Sequence, residues 1–431
     1  MAKKATKKRA RLRLQMKRPL DWLLWASLLF QGSACALLVF KSGSPDWVAA
    51  ALTFSLPALG WFWCKPLARL LRADGLLVTL TDFLCGLGTA LLYALSPALG
   101  LKHAVHLALG VAVFALCALA ARRVRAWRIL CALATPVCVA LLLLPAAIGQ
   151  EINGAKNWIR IPGFGSFQPS ELVKIALVLI LARSFSTLRG VKGMLPGLAF
   201  AIICLGLLML QKDLGTALLY YLTTLLLFWT ASSNLPLTLA GLAGGAGAAA
   251  LGYKLFAHVR TRVAIWRNPW SDALGKGYQI VQALTAIASG GLFGVGLGNG
   301  ESRVIPAYST DFIFAVLCEQ LGLAAGIAVL TMYAILIARG AAVSLRARTR
   351  FLALLAMGAT ALLGLQTFVI IGGVIKLIPL TGVTLPFLSA GGTSMLCCLG
   401  LVGILCGVNA ATEDGRDADE RMASPGLEET K

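Results

Sequence analysis

Charge is scarce in this chain, and negative charge scarcest. Only 13% of its 431 residues are charged, and 18 acids stand against 39 Lys and Arg. Soluble domains carry about 25% charged residues, so a large soluble domain is excluded. Histidine is nearly absent: His103, His106 and His258 are too scattered for a ligand set. The eleven Cys show no metal-type spacing, and most, including Cys397 and Cys398, sit in apolar runs. Cysteine acts there as a small hydrophobe, so neither a zinc site nor a disulfide framework is indicated. Also missing are a GxSxG elbow, an HExxH pair, a supported Ser-Lys pair and a Walker loop. The run GVGLGNG at 294–300 has no Lys-Ser/Thr after it. Its glycines supply turns and close backbone approach. No nucleophile is evident.

What the chain has is apolar length. It is 58% hydrophobic, with a mean hydropathy of +0.81. This composition predicts an all-α, polytopic membrane protein. A membrane helix needs about 20 mostly apolar residues. The sequence predicts twelve, at 22–40, 47–63, 75–97, 104–121, 127–149, 169–187, 193–211, 214–231, 235–256, 312–338, 352–375 and 384–409. Only the two tails read as disordered.

Charge placement sets the orientation. Nine Lys and Arg lie in the first 18 residues, and no small-residue cleavage site follows the first apolar run. Residues 1–21 are therefore expected to be a basic cytoplasmic tail, drawn to anionic membrane lipid. Nothing else in the chain supports nucleic-acid binding. Counting loops from there puts 26 of the 39 basic residues on the inner side, including Arg125 and Arg189, as the positive-inside rule requires. Both termini are then cytoplasmic, with an acidic tail at 411–431.

Two outward stretches break the rule. One is 151–171, with Lys156 and Arg160. The other is a large extracytoplasmic loop at about 257–311, with Arg260, Arg262, Arg267, Lys276 and Arg303. Arginine is a bidentate donor suited to phosphate, so an anionic, lipid-linked ligand is one reading. Headgroup anchoring by Arg and Trp is the other.

Ionisable groups at membrane depth are functional candidates. Asp82 reads as a hydrogen-bonded acid packing helices together. Glu171 and Lys174 stand at i and i+3, on one helix face, and suit an ion pair. Asp213 and Asp311 each precede an apolar run and could cap it. Glu319 lies two turns inside a run, where a cap cannot explain it, and an intramembrane hydrogen bond is expected. These residues leave two classes open. One is an enzyme acting on a lipid-linked pyrophosphate with a carboxylate as general base. The other is a transporter or flippase with charges along its path.

Five ordered blocks narrow the choice: GAKNWIRIPGFGSFQPSELVKI (154–175), QKDLGTA (211–217), RNPWSDALGKGYQIVQAL with SGGLFGVGLG (267–298), STDFIFAVLCEQLG (309–322) and IPLTGVTLPFLSAGGTS (378–394). Together they resemble the SEDS family of shape, elongation, division and sporulation proteins. The resemblance implies a ten-helix membrane core preceded by two extra N-terminal helices. Residues 22–149 would hold five helices and 150–410 the catalytic core. It implies a peptidoglycan glycosyltransferase of the bacterial cytoplasmic membrane. That enzyme polymerises lipid II onto undecaprenyl-pyrophosphate-linked glycan beside a class B penicillin-binding protein. A lipid II flippase, or a scaffold for that partner, is the alternative.

The resemblance also implies roles. Asp311 matches the family's essential aspartate. Substrate-side positions are Trp158, Arg160, Gln168, Glu171, Lys174, Asp213, Arg262, Tyr278, Gln279, Glu319, Ser389, Gly391 and Gly392. No protein metal site is implied; a divalent cation (Mg or Mn) or the basic side chains would offset the pyrophosphate charge. The chain departs from the family pattern at Ser309 (often His), Gln320 (Glu), Ala390 (Tyr), Ile370 (Asn) and Lys212 (Pro).

Overall fold

In a bilayer every backbone N–H and C=O must find an internal partner, which leaves helices for an apolar chain. The computed structural model describes residues 2–41, 44–124, 126–152, 155–161, 165–187 and 191–422. Arg125, Arg189 and residues 423–431 of the acidic tail lie outside them, as does any description of the Lys156 side chain. The first helix, α1, runs over Ala2–Val39, and α2 over Trp47–Phe62. A π turn at Trp63–Leu67 leads into α3, Ala68–Leu71. Then come α4 (Gly75–Leu95), α5 (Pro97–Arg123) and α6 (Trp127–Ile148). After three short strands follow α7 (Pro169–Thr187), α8 (Leu195–Leu210), α9 (Leu214–Ser232) and α10 (Leu235–Leu255). The last five are α11 (Ala257–Arg267), α12 (Tyr278–Ser289), α13 (Ile313–Arg346), α14 (Arg350–Val374) and α15 (Gly392–Met422).

Eleven helices among the described residues are long and apolar enough to cross a membrane. This is one fewer than the sequence predicts. The difference is α7: it has spanning length at 19 residues, but Glu171, Lys174 and Arg183 interrupt its apolar run. The tails also differ from expectation. The basic N-terminal stretch is the start of α1, and α15 continues well past the apolar run to Met422. There Asp414 pairs with Arg72 and Arg122, each at 2.6 Å, while Arg339 pairs with Asp74 at 2.8 Å. The Asp414 pairs hold the ends of α3, α5 and α15 together, and the Arg339 pair ties α13 to the head of α4.

Short polar side chains start the helices. Asp46, Asp74, Asp213, Asn234 and Thr349 accept backbone N–H groups at the heads of α2, α4, α9, α10 and α14, satisfying donors that lack a partner within the helix. Close packing then relies on small residues, as membrane interfaces do. A Cβ added at Gly403 would lie 2.4 Å from the Phe114 carbonyl, and one at Gly407 2.4 Å from that of Ala118. Only glycine lets α15 approach α5 this closely.

Two irregularities position the site. First, β1 (Gln150–Ile152), β2 (Ala155–Ile161) and β3 (Gly165–Phe167) form an antiparallel sheet in the order β1-β2-β3. Gln150 pairs with Trp158, and Ile159 with Phe167. Second, α13 breaks at Gly322, with φ 86° and ψ 168°. The carbonyls of Glu319 and Gln320 instead accept from Val295 and Gly296, each at 3.0 Å. The glycine run thus replaces the missing helical bonds. The large loop at 257–311 is itself structured, holding α11, α12 and several turns. The last expected helix begins late. Residues 383–391, which include Pro386, are irregular, and α15 starts at Gly392.

Candidate active site

Asp311 closes a turn ahead of α13. Its backbone N–H and that of Thr310 donate to the Ala307 carbonyl, both at 3.1 Å. It does not cap α13, whose N-cap position falls on Phe312 without a side-chain bond. The carboxyl is therefore left for other work. It is half-buried, and burial pushes it up to about 6, opposed by the Thr310 hydroxyl and the Arg262 guanidinium. Desolvation disfavours the charged form, while a nearby cation favours it; here desolvation wins.

A loop over 375–391 wraps this turn. Ser389 donates to the Thr310 carbonyl at 2.6 Å and accepts from Leu385 N–H at 2.8 Å. Ala390 N–H donates to the Ser309 carbonyl at 2.8 Å. Gly382, at φ 78°, faces the acid: a Cβ there would lie 3.6 Å from Asp311 Oδ2. Such a φ suits glycine and strains other residues. Arg262 on α11 donates to the carbonyls of Leu380 and Thr381 at 3.3 and 3.1 Å. Trp266, one turn further, donates to that of Lys376 at 3.2 Å.

Arg262 also lies within electrostatic reach of Asp213 as well as Asp311, and burial lowers it from its ordinary value. Asp213 caps α9 through Thr216 N–H at 3.1 Å. Its other oxygen accepts from Asn157 at 2.8 Å and Gln168 at 3.0 Å. Strand alternation explains Asn157. On β2, Asn157 and Ile159 face inward, while Trp158 is half-buried and Arg160 exposed. The sheet thus anchors Asp213 on one face and presents Trp158 and Arg160 on the other. Lys212 has φ 59°, which a proline could not adopt; the family's usual residue would not fit this turn. His258, one α11 turn from Arg262, has a buried Nε2 without a hydrogen-bond partner among the described residues. Burial lowers its pKa, as do Arg262 and Lys212.

A second polar group runs inside the helices. Lys174 pairs with Glu171 at 2.7 Å and donates to Gln366 Oε1 at 3.0 Å. Gln366 donates to the Thr384 carbonyl at 2.8 Å, and Thr384 to Ser394 Oγ at 2.7 Å. This chain supports the 375–391 loop from below. Sequence reading missed Asn157, Gln366, Thr384 and Ser394. Gln366, a lone amide in an apolar helix, was the readable signal.

Not every expected residue joins the site. Glu319 accepts Glu301 and Ser302 N–H at 2.9 and 3.0 Å; the expected hydrogen bond exists, but it clamps the glycine loop. Among the described residues no hydrogen bond links Tyr278 or Gln279 side chains to Asp311. Gly392 makes room for His106, whose Nε2 would lie 2.4 Å from a Cβ there. Gly391 N–H donates to the Ser389 carbonyl at 2.8 Å, tightening the loop. No three His, Cys, Asp or Glu side chains converge as a metal site among the described residues, and both Asp213 oxygens are engaged.

Fold and site together define a multi-pass, predominantly helical membrane protein built around two acids at helix entrances. The family profile described as cell cycle protein FtsW/RodA/SpoVE matches residues 84–414. The peptidoglycan glycosyltransferase RodA of Mycobacterium tuberculosis is 37% identical over 425 residues, covering 90% of each chain. Stage V sporulation protein E of Bacillus subtilis is 36% identical over 294 residues, 66% of this chain and 80% of that protein. The crystal structure of Thermus thermophilus rod shape determining protein RodA matches with a TM-score of 0.58 at 30% identity, covering 79% of this chain and 98% of that one. A chain of a peptidoglycan synthase complex coordinating polymerization and crosslinking matches with a TM-score of 0.65 at 30% identity, covering 78% and 97%. The chain belongs to the FtsW/RodA/SpoVE family, the SEDS proteins.

Proposed function

We propose that this peptidoglycan glycosyltransferase polymerises lipid II at the outer face of the cytoplasmic membrane, with Asp311 as general base. The observation that carries this is the Asp311 carboxyl, raised to about 6 by burial and faced by Gly382 rather than a side chain. A base of that strength is ionised at neutral pH and still accepts a proton usefully, a contribution of about 10²–10⁴-fold.

The GlcNAc 4-hydroxyl of the acceptor attacks C1 of the donor MurNAc. The new C1–O bond forms as the bond from C1 to the pyrophosphate oxygen breaks. The hydroxyl proton passes to Asp311, and undecaprenyl pyrophosphate leaves with the bond pair. One displacement inverts an α donor to a β product, in keeping with a chain lacking a nucleophile. Arg262 and Lys212, with exposed Arg160 at the rim, offset the leaving-group charge. Trp158 offers an aromatic face to the substrate, with Tyr278 and Gln279 further out. Asp213, held by Asn157 and Gln168, keeps Arg262 turned toward the site.

In this reading residues 150–410 are the catalytic core and α7 is a twelfth span, its Glu171–Lys174 pair neutralised internally. Both termini are cytoplasmic. The partner is a class B penicillin-binding protein, as the family resemblance implies, and the likeness to a chain of a peptidoglycan synthase complex supports a partnered enzyme. The test is lipid II polymerisation by the purified chain with that partner. Normal polymerisation by Asp311→Ala overturns the base assignment. Transfer of labelled lipid II between leaflets without polymer would make it a flippase. Normal growth with Asp311→Asn would make it a scaffold.

A further inference from the structure

A cleft of about 240 Å³ lies between α12 and the turn at Glu301–Ile305, apart from the Asp311 cluster. Its lining divides in two. Ala286, Val295, Val304 and Ile305 form an apolar wall, while Gln282, Thr285, Asn299 and Ser302 carry amides and hydroxyls. Ser302 is only 1% exposed, and its Oγ has no hydrogen-bond partner among the described residues. A buried hydroxyl without a partner costs free energy unless something else supplies one.

The charges around the cleft restrict what can fill it. Glu301 and Glu319 line it, and no Lys or Arg does. The Glu319 carboxylate is already engaged by two backbone N–H groups. Arg303 points away, donating to the Ala94 carbonyl at 3.2 Å. A phosphate or a carboxylate would therefore meet like charge without a counter-ion. A neutral ring with one apolar face and a rim of hydroxyl and acetamido groups suits both halves of the lining. A sugar has that form.

We propose that this cleft is a subsite for a neutral sugar ring of the glycan strand, beyond the Asp311 centre. The proposal rests on the polymerase reading. Ser302 and Asp311 are nine residues apart on one segment, a reach of no more than about 30 Å when extended. Turn bonds from Val304 to Glu301, Ile305 to Ser302 and Tyr308 to Ile305 shorten it. A strand leaving the centre along this segment meets the cleft, and holding it there keeps the product attached between additions.

The probe is chitotetraose, a neutral β-1,4 oligomer of GlcNAc, bound to the full-length chain in nanodiscs and read by saturation-transfer NMR. Thr285→Trp closes the mouth from an exposed position, and Gln282→Ala removes an amide without adding bulk. Thr285→Trp is expected to weaken binding by roughly tenfold or more, as loss of an enclosed ligand contact implies. It should shorten the glycan strands while leaving the initial rate of lipid II consumption unchanged. Gln282→Ala should do the same more weakly. Absent binding by wild type, equal binding by wild type and Thr285→Trp, or unchanged strand length overturns the subsite. So does displacement of the probe by an isoprenyl chain. If wild type makes no glycan, the polymerase reading fails, and the binding result still decides whether the cleft takes sugar.

Discussion

Asp82 and Asp311 are both acids withdrawn from water, yet their surroundings are opposite. Asp82 lies within α4 and is 2% exposed. Gln31 donates to its Oδ2 at 2.8 Å and Ser27 at 3.4 Å, both from α1. Gly60 of α2 closes the other side, where a Cβ would lie 2.7 Å from Oδ1. Three helices thus enclose one carboxyl, and the side chains that donate to it, both from α1, are neutral. Asp311 has a single hydroxyl neighbour, a shared arginine and a glycine in front of it. Burial alone therefore does not mark a reactive acid. What faces its free oxygen does. Asp82 also falls outside the matched family segment, which begins at residue 84.

The comparison can be broken most directly at Asp311. Asp311→Asn should lower lipid II polymerisation by about 10²–10⁴-fold, with an unchanged thermal unfolding profile. Glu171 offers a third kind of acid, one with its own buried cation. Lys174→Met leaves it unpaired and should destabilise the protein by about 3–5 kcal/mol, read as earlier unfolding in detergent. The pH profile separates the acids without a mutation. A base must be deprotonated, so activity should be full above pH 7 and fall by about tenfold per unit below pH 6, with the limb absent in Asp311→Asn. Gly382→Ala should cost about 1–2 kcal/mol through its left-handed φ and slow turnover by crowding Asp311. A normal rate would show that the approach lies elsewhere. The smallest effect is expected at Asp82. Asp82→Asn keeps the shape and should shift stability by about 1 kcal/mol with turnover unchanged; lost turnover would erase the contrast.

The apolar runs and the loop arginines were legible because the bilayer imposes a length on helices and a sign on loops. Asp311 and Asp213 were legible as acids at helix entrances, though only one of them caps. The sheet at 150–167 was not. Its strands have three to seven residues, too short for a period to show, and the inward turn of Asn157 depends on their register. Gln366 stayed hidden because a single amide in an apolar helix does not announce its partner. Lys174 is 192 residues away in sequence. Glu319 was read as an acid that makes a hydrogen bond rather than a cap, and it accepts two. That its partners are loop N–H groups follows from the break at Gly322, and no propensity foretells a break in mid-helix.

That break divides α13 into two pieces. The piece ahead of Gly322 carries Asp311 at its tip and is bonded to the glycine run through Glu319 and Gln320. The run is pinned in turn to the first helical hairpin, where Lys41 Nζ donates to the Gly298 carbonyl at 2.5 Å. The longer piece behind Gly322 is anchored at the far end by Arg339 and Asp74. The same run also holds the piece behind the break, where Leu323 and Ala324 N–H donate to the Gly291 and Leu292 carbonyls at 2.9 and 3.2 Å, so it splints α13 across Gly322 and fixes where the Asp311 end stands. Through Lys41 the hairpin of α1 and α2 braces that splint from outside the helix.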